Sequence, residues 1–162
     1  MNSENLNPKT GQITIITGLP GSGKTTTTNK FQHHGVKVFD DYLHKTIGNE
    51  LGRPDLAKHR TTLIEALIAG QDCIVTDIQL CDAATLEKMV ADIRIHVPEV
   101  IINKEYFCND PEQCRQNVLS SYNPSEHRLD MISRYSPGYL PPKSAKDVYR
   151  PQAGTVDKLR LQ

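Results

Sequence analysis

Ile13-Thr14-Ile15-Ile16-Thr17-Gly18-Leu19-Pro20-Gly21-Ser22-Gly23-Lys24-Thr25-Thr26 decides how this chain folds. Five β-favouring residues run straight into the pattern G-x-x-x-x-G-K-T, and the residues from Lys24 onward read as a helix start. A buried strand, a glycine-rich turn and a helix N-terminus, in that order, make a phosphate-binding loop. Gly18, Gly21 and Gly23, with Ser22 between the last two, let the backbone curl so that successive N–H groups point inward at an anion. The helix adds the positive end of its dipole. Lys24 is placed to reach the β- and γ-phosphates, the Thr25 hydroxyl suits a magnesium ion, and Thr26 follows as a further nucleotide-binding position. The expected ligand is a nucleoside triphosphate with magnesium, ATP first and GTP left open.

At 162 residues the chain is one domain with room for a real core, and too short for the extra domains of motors, AAA machines or transporters. Lysine plus arginine number 19 and aspartate plus glutamate 19, so the net charge is zero. Such a chain is not built to coat nucleic acid by bulk electrostatics, although a local basic groove stays open. No apolar stretch approaches the ~20 residues of a membrane span, so no membrane partner is expected. The polar start lacks a signal peptide's basic and apolar regions and reads as a loose leader. Cys73, Cys81, Cys108 and Cys114 show neither C-x-x-C nor zinc-finger spacing. They read as buried thiols, which places the chain in the cytoplasm. Nothing in the sequence speaks to oligomeric state.

Hydrophobic periodicity and turn residues predict strands at 12–17, 36–39, 73–76 and 100–107. They predict helices at 23–33, from residue 42 to about 47, at 55–69, from a cap at Asp82 to about 93–96, from Asp110-Pro111 through Leu119, and at 126–135. Residues 48–54 and 121–125 are breaks. Strands alternating with helices imply an α/β fold with a parallel sheet between two helical layers. With the phosphate loop, that is a three-layer P-loop NTPase of the nucleotide-kinase type, with a short helical lid around 121–125. The expected organisation is a leader at 1–10, a kinase domain at 11–140 and an irregular tail at 141–162.

In such sheets ligands gather at the carboxyl ends of the strands, where the phosphate loop, Asp40-Asp41 and Asp77 all fall. A carboxylate that accepts a hydroxyl proton assists phosphoryl transfer, and Asp40, directly after the second strand, is the expected base. Asp41 is the expected helix cap or supporting partner. Asp77 ends an apolar strand in the manner of a Walker B magnesium ligand, and it reads equally as a turn aspartate capping the next segment. No glycine switch follows Asp77, and Asn103-Lys104-Glu105-Tyr106 lacks the aspartate of a guanine-reading N-K-x-D, which disfavours a regulatory GTPase. Arg115, Arg128 and Arg134 flank the 121–125 break. Arg128 is the first choice for a lid arginine and Arg115 the second, although each also reads as a solvated surface residue. Arg53, Lys58, His59 and Arg60 form a basic cluster where small kinases cover the acceptor, or a plain charged helix face.

Together these residues resemble the small P-loop kinase group that includes the kinase domain of bacteriophage polynucleotide 5′-hydroxyl kinase. The zeta-toxin and chloramphenicol phosphotransferase families are looser relatives. The resemblance spans residues 12–139. The loop looks like that group's G-x-P-G-S-G-K-[ST], and Phe39-Asp40-Asp41-Tyr42 is similar to its R-D-D-Y, whose first aspartate is the general base. Ile74-Val75-Thr76-Asp77-Ile78-Gln79-Leu80 looks like its I-I-S-D-T-N-L, and Cys114-Arg115-Gln116-Asn117 approximates its K-R-N. The resemblance implies Asp40 as base, Arg115 as a lid residue, and Asp41, Tyr42 and Arg53 around the acceptor. Two positions depart from the pattern: Phe39 and Leu43 stand where the group has arginines, the second of which holds the acceptor's phosphate. The expected activity is transfer of the ATP γ-phosphoryl group to a hydroxyl of a polynucleotide or nucleotide-like acceptor, such as a 5′-hydroxyl end or a hydroxymethylated base in DNA. The alternatives are a kinase of a small metabolite or antibiotic, and a nucleotide-dependent binding module or switch.

Overall fold

The apolar run before the phosphate loop forms β1 (Ile13–Thr17), which lies inside the sheet rather than at its edge. A computed structural model describes residues 9–32, 34–43, 54–122 and 124–151. Its four strands add β2 (Lys37–Phe39), β3 (Cys73–Thr76) and β4 (Ile102–Tyr106), in the order β2-β3-β1-β4. All pairings are parallel, with Ile13 opposite both Cys73 and Ile102, and Lys37 opposite Cys73. A parallel strand paired on both edges and covered on both faces must be apolar almost throughout, and Ile13, Ile15 and Ile16 are fully buried. Beyond β4 the chain returns beside the sheet. Lys146 forms a parallel bridge with Phe107, its N–H donating to the Tyr106 carbonyl and its own carbonyl accepting from Cys108 N–H, both at 2.7 Å.

The helices are α1 (Lys24–Gln32), α2 (Pro54–Ile68), α3 (Ala83–His96), α4 (Pro111–Leu119) and α5 (Glu126–Tyr135), with 3₁₀ turns at Ile78–Cys81 and Ser136–Gly138. Their starts follow their capping residues. Asp82 accepts from Thr85 N–H at 3.1 Å, Asp110 from Gln113 N–H at 3.1 Å, and Ser125 from Arg128 N–H at 3.3 Å. Boundaries read from the sequence agree to within one or two residues. The predicted helix from Tyr42 runs beyond Leu43, outside the described residues, as do the 48–53 break with Arg53, residues 1–8 of the leader and residues 152–162 of the tail. Among the described residues no helix is long and apolar enough to cross a membrane.

The main core lies between one sheet face and two helices. Ile13, Ile15, Cys73 and Val75 pack with Leu63 and Leu67 of α2 and with Leu86, Met89 and Ile93 of α3. The opposite face carries a smaller cluster of Ile16, Ile74 and Phe107, and α1 packs against β2. A third cluster joins Leu19 of the phosphate loop to Cys114 and Val118 of α4, Ile132 of α5, Tyr139 and Val148. The two helices of the main core are tied on the outside by Arg60, whose Nε and Nη2 grip both Asp92 carboxylate oxygens at 2.6 and 2.5 Å. That accounts for one member of the basic cluster as a helix–helix tie.

The Arg60 hydrogen bond, more than any other effect, holds the Asp92 carboxyl below its ordinary value of 3.8. The stabilisation is therefore present above that value and fades as pH falls through the lowered folded-state value. Both side chains are about one-third exposed, which limits the pair to about 1 kcal/mol. Asp92→Asn is expected to lower unfolding stability by that amount at neutral pH. The wild type and the variant should converge in urea titrations once pH has fallen below that lowered folded-state value.

Candidate active site

The phosphate loop is held open by taking up its own carbonyls. Gly18 O accepts from Lys24 Nζ at 2.6 Å, Leu19 O from Ser22 N–H at 3.1 Å, and Gly23 O from Thr27 N–H at 3.1 Å. Gly21 O accepts from Asn117 Nδ2 at 2.8 Å and Ser22 O from Tyr149 N–H at 2.9 Å. With the carbonyls satisfied on the protein side, the remaining polar capacity of the loop is its N–H groups, which suits an anion. Gly21 and Gly23 have φ of 82° and 109°, a region other residues enter only with strain. A Cβ on Gly21 would also lie 2.6 Å from the Cys114 carbonyl oxygen of α4. Ser22 is buried, and its Oγ has no hydrogen-bond partner among the described residues. A Cβ at Gly18 would sit 2.6 Å from that same oxygen. A bare cradle around an unpartnered buried hydroxyl fits a phosphate group.

One of these carbonyls, that of Gly21, takes its bond from Asn117, which sequence reading placed on α4 without a role. Asn117 Nδ2 also donates to Tyr149 O at 2.6 Å, while its Oδ1 accepts from Gln113 Nε2 at 2.9 Å. The segment after α5 therefore braces the loop from outside. Tyr139 contributes as well, its hydroxyl donating to Phe107 O at 2.5 Å and Thr17 O at 3.2 Å, and burial pushes its phenol well above the usual range. Asn117→Ala leaves two carbonyls without this donor. The expected cost is about 2 kcal/mol in chemical denaturation, together with weaker triphosphate binding, both measurable on purified protein.

A cleft of about 880 Å³ opens over the carboxyl edge of the sheet. Lys24 and Thr25 line it from the loop, Asp40 and Asp41 from the end of β2, and Thr76 and Asp77 from the end of β3. The β2–β3 register, with Phe39 opposite Val75, leaves Asp40 beside Thr76 just past the strands, and the Thr76 hydroxyl donates to Asp40 Oδ1. Asp41 has a φ of 52°, a left-handed conformation that costs a non-glycine residue about 1 kcal/mol and recurs at functional sites. Asp77 is 1 % exposed and accepts from Gln79 N–H at 2.8 Å, so it caps the 3₁₀ turn while lining the cleft. Among the described residues no three His, Cys, Asp or Glu side chains are grouped to hold a metal alone. Thr25 and Asp77 line the same space, so a magnesium ion there would complete its oxygen shell from phosphate and water.

The remaining lining comes from α5: His127, Arg128, Met131, Arg134 and Tyr135, with Ser125 before it. These positions recur at the helical period and form one face, while Ile132 is buried on another. Arg128 donates to Ser121 Oγ at 3.1 Å, and desolvation lowers its pKa from the ordinary guanidinium value. Burial and the nearby Asp77 charge push the Tyr135 phenol up. Arg115 does not line this cleft; it lies 3.7 Å from Glu112 one turn away on α4, whose inner side is occupied by the loop. Tyr42 corrects a second expectation. It is 2 % exposed and packs edge-to-face on Phe39, ring centroids 6.3 Å apart, so it belongs to the core rather than to an acceptor wall. Cys73, Cys81 and Cys114 are buried and unbridged. Burial raises the Cys81 thiol to about 11 and Cys114 to about 12, so neither is a ready nucleophile.

No protein-family model matches the chain. An uncharacterised protein of Acanthamoeba polyphaga mimivirus is 22% identical over 130 residues, which cover 79% of this chain and 86% of that protein. The crystal structure of a gluconokinase from Sinorhizobium meliloti superposes with a TM-score of 0.57 at 15% identity, covering 94% of this chain and 91% of its own. This chain has the three-layer α/β fold of the P-loop NTPases, which it shares with that structure. In this chain the loop, the ends of β2 and β3 and α5 meet over one sheet edge.

Proposed function

We propose that this chain is an ATP-dependent kinase that transfers the γ-phosphoryl group to a hydroxyl of a polynucleotide or nucleotide-like acceptor. The observation that carries this reading is the position of Asp40. It lies in the same cleft as Lys24, held by Thr76, with its carboxylate facing the space beside the phosphate loop. A nucleotide switch has no use for a carboxylate so placed. In the reaction the acceptor oxygen bonds to the γ-phosphorus, the bond from that phosphorus to the β-phosphate oxygen breaks, ADP leaves and the hydroxyl proton passes to Asp40. Lys24 and the loop N–H groups hold the β- and γ-phosphates. Thr25 and Asp77 would hold magnesium, which would supply positive charge beside the transferring group. Arg128 adds positive charge from the opposite side of the cleft.

A second reading keeps the chemistry and makes the acceptor a small polar metabolite. It is favoured by the gluconokinase likeness and by a cleft volume within the range of small-molecule sites, about 300–1,000 Å³. Three buried, protonated thiols fit a reducing compartment, and we place the protein in the cytoplasm. Incubation with γ-labelled ATP and 5′-hydroxyl DNA and RNA ends, DNA with hydroxymethylated bases, nucleotides and sugar acids separates these readings. Label in a nucleic acid or nucleotide supports the first. Label confined to small metabolites supports the second, and label in no acceptor overturns both.

A further inference from the structure

Beside the main cleft lies a second cavity of about 350 Å³. Gln79, Arg134 and Tyr135 line both spaces, while Cys81, Asp82, Thr85 and Gly138 line the second alone. Lys24 and Thr25 line only the main cleft, so the side cavity lies away from the phosphate loop. At the junction Arg134 is exposed, and its guanidinium makes no hydrogen bond or ion pair with a described residue. The carboxylate that lines the side cavity, Asp82, is engaged at its Oδ2 by the Thr85 N–H and hydroxyl at 3.1 and 2.6 Å. An unpaired guanidinium between two joined cavities offers a planar set of donors to an anion passing from one to the other. The side cavity beyond it presents an amide, a hydroxyl and a phenol, and its volume suits one small hydrogen-bonding group.

We infer that this cavity is an acceptor subsite and that the acceptor is an anionic alcohol. Its hydroxyl faces Asp40, its anionic group, a phosphate or a carboxylate, rests on Arg134, and the rest of the molecule enters the side cavity. The inference rests on the kinase reading for the role of the hydroxyl, and on the two cavities alone for the binding site.

Equilibrium binding tests it without requiring turnover. The protein, loaded with magnesium and a non-hydrolysable ATP analogue, is titrated with thymidine 3′-monophosphate, with thymidine, and with the aldonate galactonate. The wild type is expected to bind the nucleotide at least about tenfold more tightly than the nucleoside. Arg134→Ala should remove that difference and Arg134→Lys restore part of it. Gly138→Leu should weaken both ligands, because a Cβ at Gly138 meets no atom within 4 Å and the added side chain fills the cavity without disturbing the fold. Galactonate binding with the same Arg134 dependence assigns the anion as a carboxylate; binding of the nucleotide alone assigns it as a phosphate. Equal wild-type affinity for nucleotide and nucleoside together with Arg134-independent galactonate binding overturns the inference, as does an Arg134→Ala effect confined to the ATP analogue. Should the binding pattern hold while no acceptor is ever phosphorylated, the kinase reading fails and the anion subsite stands.

Discussion

Lys24→Ala is expected to lose about 3 kcal/mol of transition-state stabilisation, at least roughly a hundredfold in kcat/KM, with little unfolding. The ammonium bonds Gly18 O at 2.6 Å, so it is already held against the first residue of the phosphate loop. A phosphate entering that loop meets a positioned cation rather than one that must be ordered first. As charge grows on the bridging oxygen, the stabilisation is larger than in the ground state, which is why turnover should fall more than ATP affinity. Only the Gly18 bond is lost from the folded protein, so thermal melting should shift by a few degrees at most. Steady-state kinetics and a melting curve on the same preparation check both parts. Undiminished transfer in the variant would contradict the assignment of the loop.

Asp40→Asn should lower kcat by about 10²–10⁴ while leaving ATP affinity nearly unchanged. An amide of the same shape can still accept from the Thr76 hydroxyl, so the side chain stays in place while its ability to take a proton is lost. Asp40 lies outside the phosphate loop, which predicts a change in kcat and kcat/KM for the acceptor rather than in KM for ATP. Thr76→Val should show a smaller loss of the same kind, because it frees the carboxylate from the Thr76 hydroxyl without removing it. A transfer rate equal to the wild type for every acceptor would show that another group takes the proton.

The fold was legible because its deciding signals are local. An all-apolar strand, a glycine-rich loop and capped helices lie in contiguous stretches, and β1, α1, α3, α4 and α5 appear within one or two residues of their predicted ends. The cleft was partly legible for the same reason, since Lys24, Asp40 and Asp77 each follow a strand that points at the same edge. Asn117 left no local trace: its partner Gly21 is 96 residues away, and only the folded chain brings them together. The polar face of α5 was present as periodicity in His127, Arg128, Met131, Arg134 and Tyr135, but a polar face normally reads as a solvated one. Arg115 misled because a motif position does not fix which way its helix turns, and α4 turns Cys114 and Val118 toward the loop instead. Leu43, where the resembling group carries an arginine, packs against the main core.

The most direct test of phosphoryl transfer follows the fate of the label when γ-labelled ATP turns over in the presence of the acceptor panel. The label should appear as a phosphate ester of an acceptor alcohol, in amounts equal to the ADP formed, with the rate rising as acceptor is added. Label found only in inorganic phosphate, at a rate no acceptor changes, would contradict a kinase and point to a hydrolytic switch.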